Sequence, residues 1–416
     1  MLIQIAWRNV WRSKVRSLVV ITSITLGLML SIFLMSFNFG MLEQRERNII
    51  TTQISHLQIH HPGFKGDPKL KYTIGEGAAT LDQLADQSSI KAFAGRVITT
   101  GFASTTKGAF GAQIIGVQPE KEAVLTLLEE RVIAGGYFPN GRKNTILIGD
   151  ALAEKLGYKI PAAEGDTAPT YNFRKRLILS FQDLNGQPIS ARFRVGGVYK
   201  ATNSILEKTQ IFVQATDLKR ETGVSGWHEI AVLMKDPKDI PVLKQELISA
   251  NPQQLVQDYG EVSPDLKFIA DTFATTMYIF IGIILLALGF GIVNTMLMAI
   301  LERTRELGML MSIGMNRIKI FLMVLLETTF MCMVGGPIGI LLGYMLVSIF
   351  NRVGIDLSAF SEGMGSFDIS SQVYTYVPAE WYWQIGLMVI ITAFIASLYP
   401  ARRALKLKPA EAVRAI

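Results

Sequence analysis

The side chains best placed to do chemistry form a charged segment at residues 302–308, whose sequence is ERTRELG. It lies between two long apolar runs. Apolar residues from Ile300 to Met311 recur at helical spacing, while the charges fall on another face. Gly314 is expected to end this helix and Asn316 to cap the next one. Because carboxylates and guanidinium groups form strong ion pairs, the pattern predicts a rigid docking element on which a partner pushes.

Three histidines, His56, His60 and His61, form a second cluster with potential chemistry. On a strand, His56 and His60 share a face, and imidazole is a good zinc ligand, so a metal site is one interpretation. No Cys, Asp or Glu lies close by in sequence to complete the set of ligands. We therefore expect surface or packed histidines and predict that the chain binds no metal.

A carboxylate, Glu327, interrupts an apolar run about two turns from its start. Such a charge costs about 2.5–3.5 kcal/mol at the centre of a membrane and less near a helix end, so it needs a reason to be there. We predict that Glu327 contacts another helix or a partner, with a proton relay as the alternative. In the same run, Gly335, Gly339 and Gly343 repeat every four residues, which predicts close approach of another helix backbone.

Motifs of nucleotide hydrolysis and of hydrolases are missing from the sequence. The chain has no GxxxxGK[ST] loop, so it is not expected to bind ATP through a P-loop. It also has no GxSxG, HExxH or protein-kinase signature. We predict a non-catalytic chain that binds no cofactor of its own.

The elements that position these residues are predicted to be membrane helices. Of the 416 residues, 50% are hydrophobic, and four apolar runs exceed the roughly 20 residues that cross a bilayer. The fold class is then a membrane α-helical protein with four transmembrane helices in a 1+3 layout and a large extracytoplasmic α+β domain between the first two. The predicted partition is an interfacial helix at 1–16, membrane helices at 17–42, 267–301, 317–350 and 381–401, the external domain at 43–266, the charged segment at 302–316, an external loop at 351–380 and a tail at 402–416.

The net charge of +7 follows this topology. Basic residues gather before the first run, around the charged segment and after the last run, whereas the 351–380 loop is mainly acidic. By the positive-inside rule, both termini and the charged segment are cytoplasmic, and residues 43–266 are extracytoplasmic. We therefore predict a multi-pass membrane protein in contact with lipid, and we do not expect a nucleic-acid partner.

The external domain has a mixed pattern of strands and helices. It is predicted to hold no disulfide and no cysteine metal site, because the single cysteine, Cys332, lies in the third apolar run. A hairpin is predicted around residues 183–188 (DLNGQP). Alternation predicts strands over 55–60, 96–102, 112–117, 145–148, 174–181, 189–195 and 211–214, and helices over 81–85, 151–156, 242–250 and 253–259.

Several of these segments together resemble the ABC transporter permeases of the MacB/FtsX/LolC–LolE superfamily, which are of the mechanotransmission type. The matching segments are 302–314 (ERTRELGMLMSIG), Glu327 followed by 335–343 (GGPIGILLG), 399–414 (YPARRALKLKPAEAVR), 148–157 (IGDALAEKLG) and 193–197 (FRVGG). Residues 6–12 (AWRNVWR) and 56–60 (HLQIH) look like the LolE-like, lipoprotein-releasing branch.

The resemblance implies that residues 302–314 form a coupling helix docked on a separate ABC ATPase, which uses ATP and Mg²⁺. Two permease subunits, identical or homologous, would pair with two ATPases in the bacterial inner membrane. The implied cargo is a lipoprotein taken from the outer leaflet, with a periplasmic carrier as a further partner. The alternatives are MacB-like export of peptides or amphiphiles and FtsX-like regulation of a cell-wall hydrolase. The residues assigned to the ATPase contact are Glu302, Arg303, Arg305, Glu306, Leu307, Gly308, Leu310 and Gly314.

If the cargo is a lipoprotein, its acyl chains need an apolar cavity at the outer ends of the first two membrane helices. Met and Phe side chains adapt to flexible lipid chains. The residues assigned to this cavity are Phe37, Phe39, Met41, Phe273, Met277 and Phe280. The alternative is that these side chains face lipid or pack between two subunits.

Overall fold

The computed structural model of the chain describes residues 2–75, 78–139, 142–160, 169–360 and 372–405. It divides into a helical unit, made of residues 1–43, 270–357 and 372–416, and an external unit, made of residues 44–269 and 358–371. The C-terminal part of the 399–414 motif lies outside the described residues.

The two units differ in secondary structure. The helices are α1 (Leu2–Arg12), α2 (Lys14–Ile49), α3 (Ala78–Ala85), α4 (Pro119–Thr126), α5 (Asp150–Lys155), α6 (Ser204–Thr209), α7 (Ala215–Thr222), α8 (Ile240–Ala250), α9 (Tyr259–Val262), α10 (Pro264–Glu302), α11 (Thr304–Ser312), α12 (Arg317–Val353) and α13 (Ala379–Leu405). The strands are β1 (Leu57–His60), β2 (Ile90–Thr105), β3 (Gly108–Val117), β4 (Val132–Gly135), β5 (Thr145–Gly149), β6 (Lys159–Ile160), β7 (Thr170–Tyr171), β8 (Arg176–Gln182), β9 (Pro188–Tyr199), β10 (Gln210–Gln214), β11 (Glu229–Met234), β12 (Leu255–Asp258), β13 (Ile355–Asp356) and β14 (Gln372–Val373).

Four helices in the described residues, α2, α10, α12 and α13, are long and apolar enough to cross a membrane. Their ends differ from the apolar runs. The first helix begins at Lys14, after a break at Ser13, and continues to Ile49, because the charged residues after position 42 are good helix formers. The second begins at Pro264, a residue preorganised for the first helical turn.

Three glycines of α12 bring this helix close to α2. A Cβ atom added at Gly335 would lie 3.0 Å from the carbonyl oxygen of Ile21, and one at Gly339 would lie 2.8 Å from the Cβ of Leu28. Gly343 faces Ile32 in the same way, at 3.0 Å. The Thr25 hydroxyl donates to the Gly335 carbonyl at 3.1 Å. The four-residue spacing therefore lines one face of α12 with the atoms that contact α2.

Six strands of the external unit form a closed ring. β2 pairs with β3, β3 with β10, β10 with β5, β5 with β9, β9 with β8, and β8 again with β2. Alternate residues of β8 and β9, such as Leu177, Phe181 and Phe193, point inward and are buried. The ring is thus a small barrel filled by side chains, and its outward positions are free to carry charge.

The first half of β2 extends the sheet beyond the barrel. It pairs with β11, which continues through β1 to β12, and α3 and α8 pack on this part. The seven strands predicted in the external domain are present, as are the helices predicted over 81–85, 151–156 and 242–250. The helix predicted over 253–259 is wrong. Residues 255–258 instead form β12, because antiparallel pairing with β1 and burial of Val256 outweigh the local helical pattern.

A buried ion cluster lies where β2 passes from the barrel to the outer sheet. The Arg96 guanidinium pairs with Glu122 of α4 at 2.7 Å and with Glu229 of β11 at 2.7 Å, and it donates to the Gln53 carbonyl at 3.0 Å. Burial alone would lower the pKa of Arg96, but the two carboxylates outweigh it and raise that pKa. The cluster joins three elements through charges that are almost fully buried.

Removing one member of this cluster is expected to leave an uncompensated buried charge. Glu122→Ala should lower the free energy of unfolding by about 3–5 kcal/mol, seen as a lower melting temperature of the full chain in detergent. The matched control Glu120→Ala, on the exposed face of the same helix, should leave the melting temperature within about a degree of wild type, since exposed surface changes cost little. Equal melting temperatures for the two variants would show that the cluster is not stabilising.

The glycine contact generates a second prediction. Gly339→Ala places a methyl group against α2 and should destabilise the helical unit by about 1–3 kcal/mol, measured as a drop in melting temperature in detergent. Gly336→Ala adds the same methyl group three residues earlier, where nothing lies within 4 Å, and should not lower it. If both variants have the same melting temperature, α12 does not approach α2 through this face.

Candidate functional site

The charged segment folds as a separate short helix, α11, between α10 and α12. It starts after a break at Arg303, and the Thr304 hydroxyl donates back to the Leu301 carbonyl at 2.8 Å, which keeps the two helices joined without a loop. Gly314 ends the segment with φ +95°, a backbone conformation that favours glycine. Asn316 then caps α12 by accepting a hydrogen bond from the Ile318 N–H at 3.2 Å. The predicted stop and cap are confirmed.

An ion-pair network, formed by Arg12, Glu306, Arg303, Glu327 and Asn9, ties α11 to α1 and α12. Glu306 pairs with Arg12 at 2.8 Å and with Arg303 at 3.1 Å. Arg303 also pairs with Glu327 at 3.5 Å, and the Asn9 amide donates to Glu327 at 2.7 Å. Side-chain exposure falls along the network, from 68% at Arg12 to 41% at Glu306, 14% at Arg303 and 10% at Glu327. The network thus runs from the surface into the apolar part of α12.

The two ends of this network differ in energetic weight. An exposed pair such as Arg12 with Glu306 contributes about 0–1 kcal/mol, because water and salt screen it. Glu327 is buried in the apolar helix, so the contacts with Asn9 and Arg303 offset its desolvation. The structure thus places Glu327 between three helices, rather than facing lipid. The proton-relay alternative stays a prediction, because no contact described here tests proton movement.

The N-terminal helix α1 packs along the start of α12. Ala6 and Val10 are fully buried in the same core as Leu307 and Ile320. The Trp7 ring meets Phe330 edge to face, with centroids 5.4 Å apart. The outer face of α1, including Trp11, remains exposed. This helix therefore buries one face in the helical unit and leaves its aromatic and basic face outward, as suits an interfacial position.

The outward surface of α11 differs from the predicted partner contact. Leu307 and Gly308 are buried, Leu310 packs against the helical core, and Arg303 is turned to Glu327. They are oriented inward because the apolar stripe of α11 faces the other helices. These four residues therefore pack within the helical unit, and their assignment to a partner contact stays a prediction.

The opposite side of α11, its outer face, is exposed. Of the predicted residues, Glu302, Arg305 and Gly314 are exposed, and Glu306 is partly so. Two apolar side chains that sequence reasoning did not select join them: Met309 is 52% exposed and Ile313 is 78% exposed. Arg305, Met309 and Ile313 follow at four-residue spacing, so they lie along one face. The sequence signal for this face is the four-residue spacing that places Met309 and Ile313 on the same side of the helix as Arg305.

The six residues assigned to an acyl-chain cavity differ in their packing within the described residues, and the cavity itself stays a prediction. Phe39 stacks edge to face on Phe273 at 4.9 Å and on Trp381 at 5.4 Å, so they form a packed aromatic cluster. Met277 is 3% exposed, whereas Phe280 is 48% exposed. They separate because the packed face of α10 continues from Met277 to Ile281, not to Phe280. Phe37 and Met41 are partly buried on α2.

An apolar groove lies between α10 and α13. Its volume is about 430 Å³, and small residues on each helix leave the space. The lining residues are Gly282, Leu285, Leu286, Gly289, Phe290, Val293, Thr392, Ile395 and Ala396.

The histidine cluster is used in hydrogen bonds inside the external unit. The two ring nitrogens of His60 lie 3.1 Å from the His228 carbonyl and 3.0 Å from the Gln58 side chain. His56 accepts from the Met234 N–H at 2.9 Å, and burial together with Lys91 lowers the pKa of His56. Over the described residues, no three His, Cys, Asp or Glu side chains are grouped to hold a metal. His56 and His60 are therefore packed side chains whose ring nitrogens are used in hydrogen bonds within the external unit.

Comparison with known proteins gives matches along most of the chain. Residues 17–250 match the family described as MacB-like periplasmic core domain, and residues 278–409 match the FtsX-like permease C-terminal family. The macrolide export ATP-binding/permease protein MacB of Rhodopirellula baltica is 27% identical over 49% of this chain and 28% of its own length. The lipoprotein-releasing system transmembrane protein LolC of Neisseria meningitidis is 25% identical over 73% of each chain. A crystal structure of the periplasmic region of MacB from Actinobacillus actinomycetemcomitans aligns with 55% of this chain and 97% of its own, at 15% identity and a TM-score of 0.36.

The inner end of the network can be tested by a rescue experiment. Arg303→Met leaves Glu327 without its cation and should lower the stability of the helical unit by about 1–3 kcal/mol, measured as melting temperature in detergent. Adding Glu327→Gln removes the buried charge and should restore most of that loss. Arg305→Met, which removes an exposed cation two residues away, is the control and should leave stability unchanged. Absence of rescue would mean that Arg303 acts through other contacts.

Proposed function

We propose that this chain, which belongs to the family of ABC transporter permeases with a MacB-like periplasmic core domain and an FtsX-like C-terminal region, couples a separate ATPase to movement of its external unit. The observation that carries the proposal is the two-sided α11. Its inner side is fixed to α1 and α12 by Leu307 and the ion-pair network, and its outer side presents Arg305, Met309 and Ile313. A helix built in this way transmits a push because it cannot move without the helices it is tied to.

Docking of the ATPase would use the outer face of α11. Exposed apolar side chains beside charges are typical of an interface that is polar at its rim and apolar at its centre. Ile313 is the most exposed of them and fits the role of central anchor. Glu302, Arg305 and Glu306 would supply the charged rim. The partner would bind and hydrolyse ATP with Mg²⁺, and this chain would remain non-catalytic.

The orientation we propose places α11 and both termini on the cytoplasmic side of a bacterial inner membrane. Basic residues on α1, in 302–319 and at the end of α13 support it through the positive-inside rule. The external unit would then lie in the periplasm. Two such permease subunits, identical or homologous, would pair with two ATPases, and the exposed apolar faces of the spanning helices would contact lipid or the second subunit.

The cargo we propose is a lipoprotein extracted from the outer leaflet of the cytoplasmic membrane, passed on to a periplasmic carrier. Support comes from the similarity to LolC, a protein of a lipoprotein-releasing system, over 73% of the chain. The similarity to MacB, named for macrolide export, is of the same order, so MacB-like export of amphiphiles is the second candidate. The apolar groove between α10 and α13 fits an acyl chain of either class, since it offers almost no polar partner.

The outer face of α11 gives a substitution that should separate the chain from its ATPase. Ile313→Asp should lower the amount of P-loop ATPase that copurifies with the tagged chain from native membranes by at least about tenfold, because a charge replaces the central apolar contact. Ile248→Asp, the same change at an exposed position of α8, should copurify the ATPase like wild type. The measurement is ATPase recovered per chain, together with its ATP hydrolysis rate.

Recovery of no ATPase with the wild-type chain would contradict the coupling role itself. Cargo is tested separately, with the purified complex in nanodiscs that contain a triacylated lipoprotein. ATP-dependent transfer of the lipoprotein to a soluble acceptor supports the lipoprotein assignment. ATP hydrolysis that ignores lipoprotein but responds to an amphiphilic drug supports the MacB-like alternative.

A further inference from the structure

Five cationic side chains line one pocket on the outer face of the barrel. The basic pocket is formed by Arg142, Lys143, Arg176, Arg192 and Arg194, with Asn144 and Thr145 between them, and has a volume of about 410 Å³. Arg176 lies on β8, Arg192 and Arg194 lie on β9, and the other two precede β5. Every second residue of β8 and β9 points outward, which is why these arginines share a face while Leu177 and Phe193 fill the barrel.

The strand register forces like charges together in this pocket. Arg176 pairs directly across from Arg194 in the antiparallel ladder between β8 and β9. Arg192 lies two residues before Arg194 on β9 and therefore points to the same face. Like charges placed directly opposite on a sheet destabilise it. The barrel thus carries a local repulsion that its fold does not require, since outward positions of β8 also accept Ile178 and Ser180.

No carboxylate in the described part of the chain lies within ion-pair distance of these five cations. Two half-buried lysines of the external unit, by contrast, are compensated: Lys159 pairs with Asp150 at 2.7 Å and Lys244 pairs with Asp258 at 2.7 Å. Asp217, beside the pocket, is already engaged by Arg220 at 2.9 Å and by the Asn144 N–H at 2.7 Å. The basic pocket therefore presents positive charge that these neighbours do not neutralise.

The rim of the basic pocket is held in a fixed shape. Asn144 has φ +54°, in the left-handed region that non-glycine residues seldom adopt. Its side chain accepts from Arg220 at 2.6 Å and donates to the Arg192 carbonyl at 3.4 Å. The Thr145 hydroxyl donates to the Arg142 carbonyl at 3.1 Å. These bonds fix the turn that carries Arg142 and Lys143 relative to β9, so the cations converge before any ligand arrives.

We propose that the basic pocket binds a compact phosphate-class anion, either a phosphorylated small molecule or the phosphate of a lipid headgroup. Guanidinium groups form two parallel hydrogen bonds to phosphate oxygens, and four of the five cations are arginines. A pocket of this volume is of the size that holds a small ligand rather than a polypeptide surface. A multivalent anion would also relieve the repulsion between Arg176 and Arg194. The site lies in the external unit and does not depend on the proposed coupling to an ATPase.

Calorimetry with inorganic pyrophosphate tests the site on the full-length chain in phosphatidylcholine nanodiscs. Wild type should bind with a Kd of roughly 1 mM or tighter. The double variant Arg192→Gln/Arg194→Gln should bind at least about tenfold more weakly, as expected for lost charge-assisted hydrogen bonds. The control Arg174→Gln/Lys208→Gln removes the same charge from two exposed positions outside the pocket and should bind like wild type. No binding by wild type, or equal loss in both double variants, would overturn the proposal.

A second measurement does not depend on the double variant being folded. Arg176→Gln should raise the melting temperature of the chain in the absence of pyrophosphate, because it removes the repulsion with Arg194. It should also reduce the further rise that pyrophosphate gives to wild type. A lower melting temperature for Arg176→Gln without pyrophosphate would show that the arginine is structural and would count against the site.

Two further probes distinguish the sources of the phosphate. Glycerol 3-phosphate and dihexanoyl phosphatidic acid carry the same phosphate monoester, and only the second carries acyl chains. Binding that is at least about tenfold tighter for the second assigns the pocket to a lipid headgroup, and equal binding assigns it to a soluble phosphate. Binding of polyglutamate without any binding of pyrophosphate would overturn the proposal in favour of an acidic polypeptide.

Discussion

A carboxylate inside an apolar helix is the constraint on which the helical unit depends. Burying the Glu327 carboxylate among apolar side chains is costly without polar partners, and two groups that contact it come from different elements, Asn9 of α1 and Arg303 before α11. The polar contacts of Glu327 therefore bring α1 and the start of α11 onto α12 at one point. The apolar contacts of Ala6, Val10 and Leu307 reinforce the same arrangement. A purely apolar residue at 327 would remove this shared contact and leave α11 held by packing and by the exposed pair of Glu306 with Arg12.

The same constraint explains why α11 has two different sides. Its inner residues contact the chain's own helices: Arg303 is turned to Glu327, and Glu306 pairs with Arg12 and Arg303 while 41% of its side chain stays exposed. The outer side then has to supply any docking surface with what remains, namely Arg305, Met309 and Ile313. Ile313 is 78% exposed and lies outside the packed core of the described helical unit. Its presence at the end of a helix anchored on its opposite side is the physical basis for assigning transmission, rather than simple tethering, to this segment.

The parts of this structure that the sequence predicted are those set by local rules. Gly314 and Asn316 mark helix ends through backbone conformation and capping, and the spacing of Gly335, Gly339 and Gly343 depends on one helix only. The parts it did not predict depend on distant residues. Arg12 meets Glu306 across 294 positions, and β12 forms only because β1 is there to pair with it. The packing of α10 is similar: its sequence alone does not show that Ile281 is buried and the adjacent Phe280 is exposed.

Two arginine sites of the external unit differ in how their charge is balanced, and this difference bears on the basic pocket. Arg96, which is almost fully buried, is matched by two carboxylates at 2.7 Å, because an unmatched buried charge is strongly destabilising. Arg176 and Arg194 face each other on the surface, where water screens their repulsion enough for the fold to tolerate it. Screening by water allows this repulsion, but it does not explain why five cations converge beside a turn fixed by Asn144. A ligand that carries the missing negative charge accounts for both the convergence and the fixed turn, whereas screening alone accounts for neither.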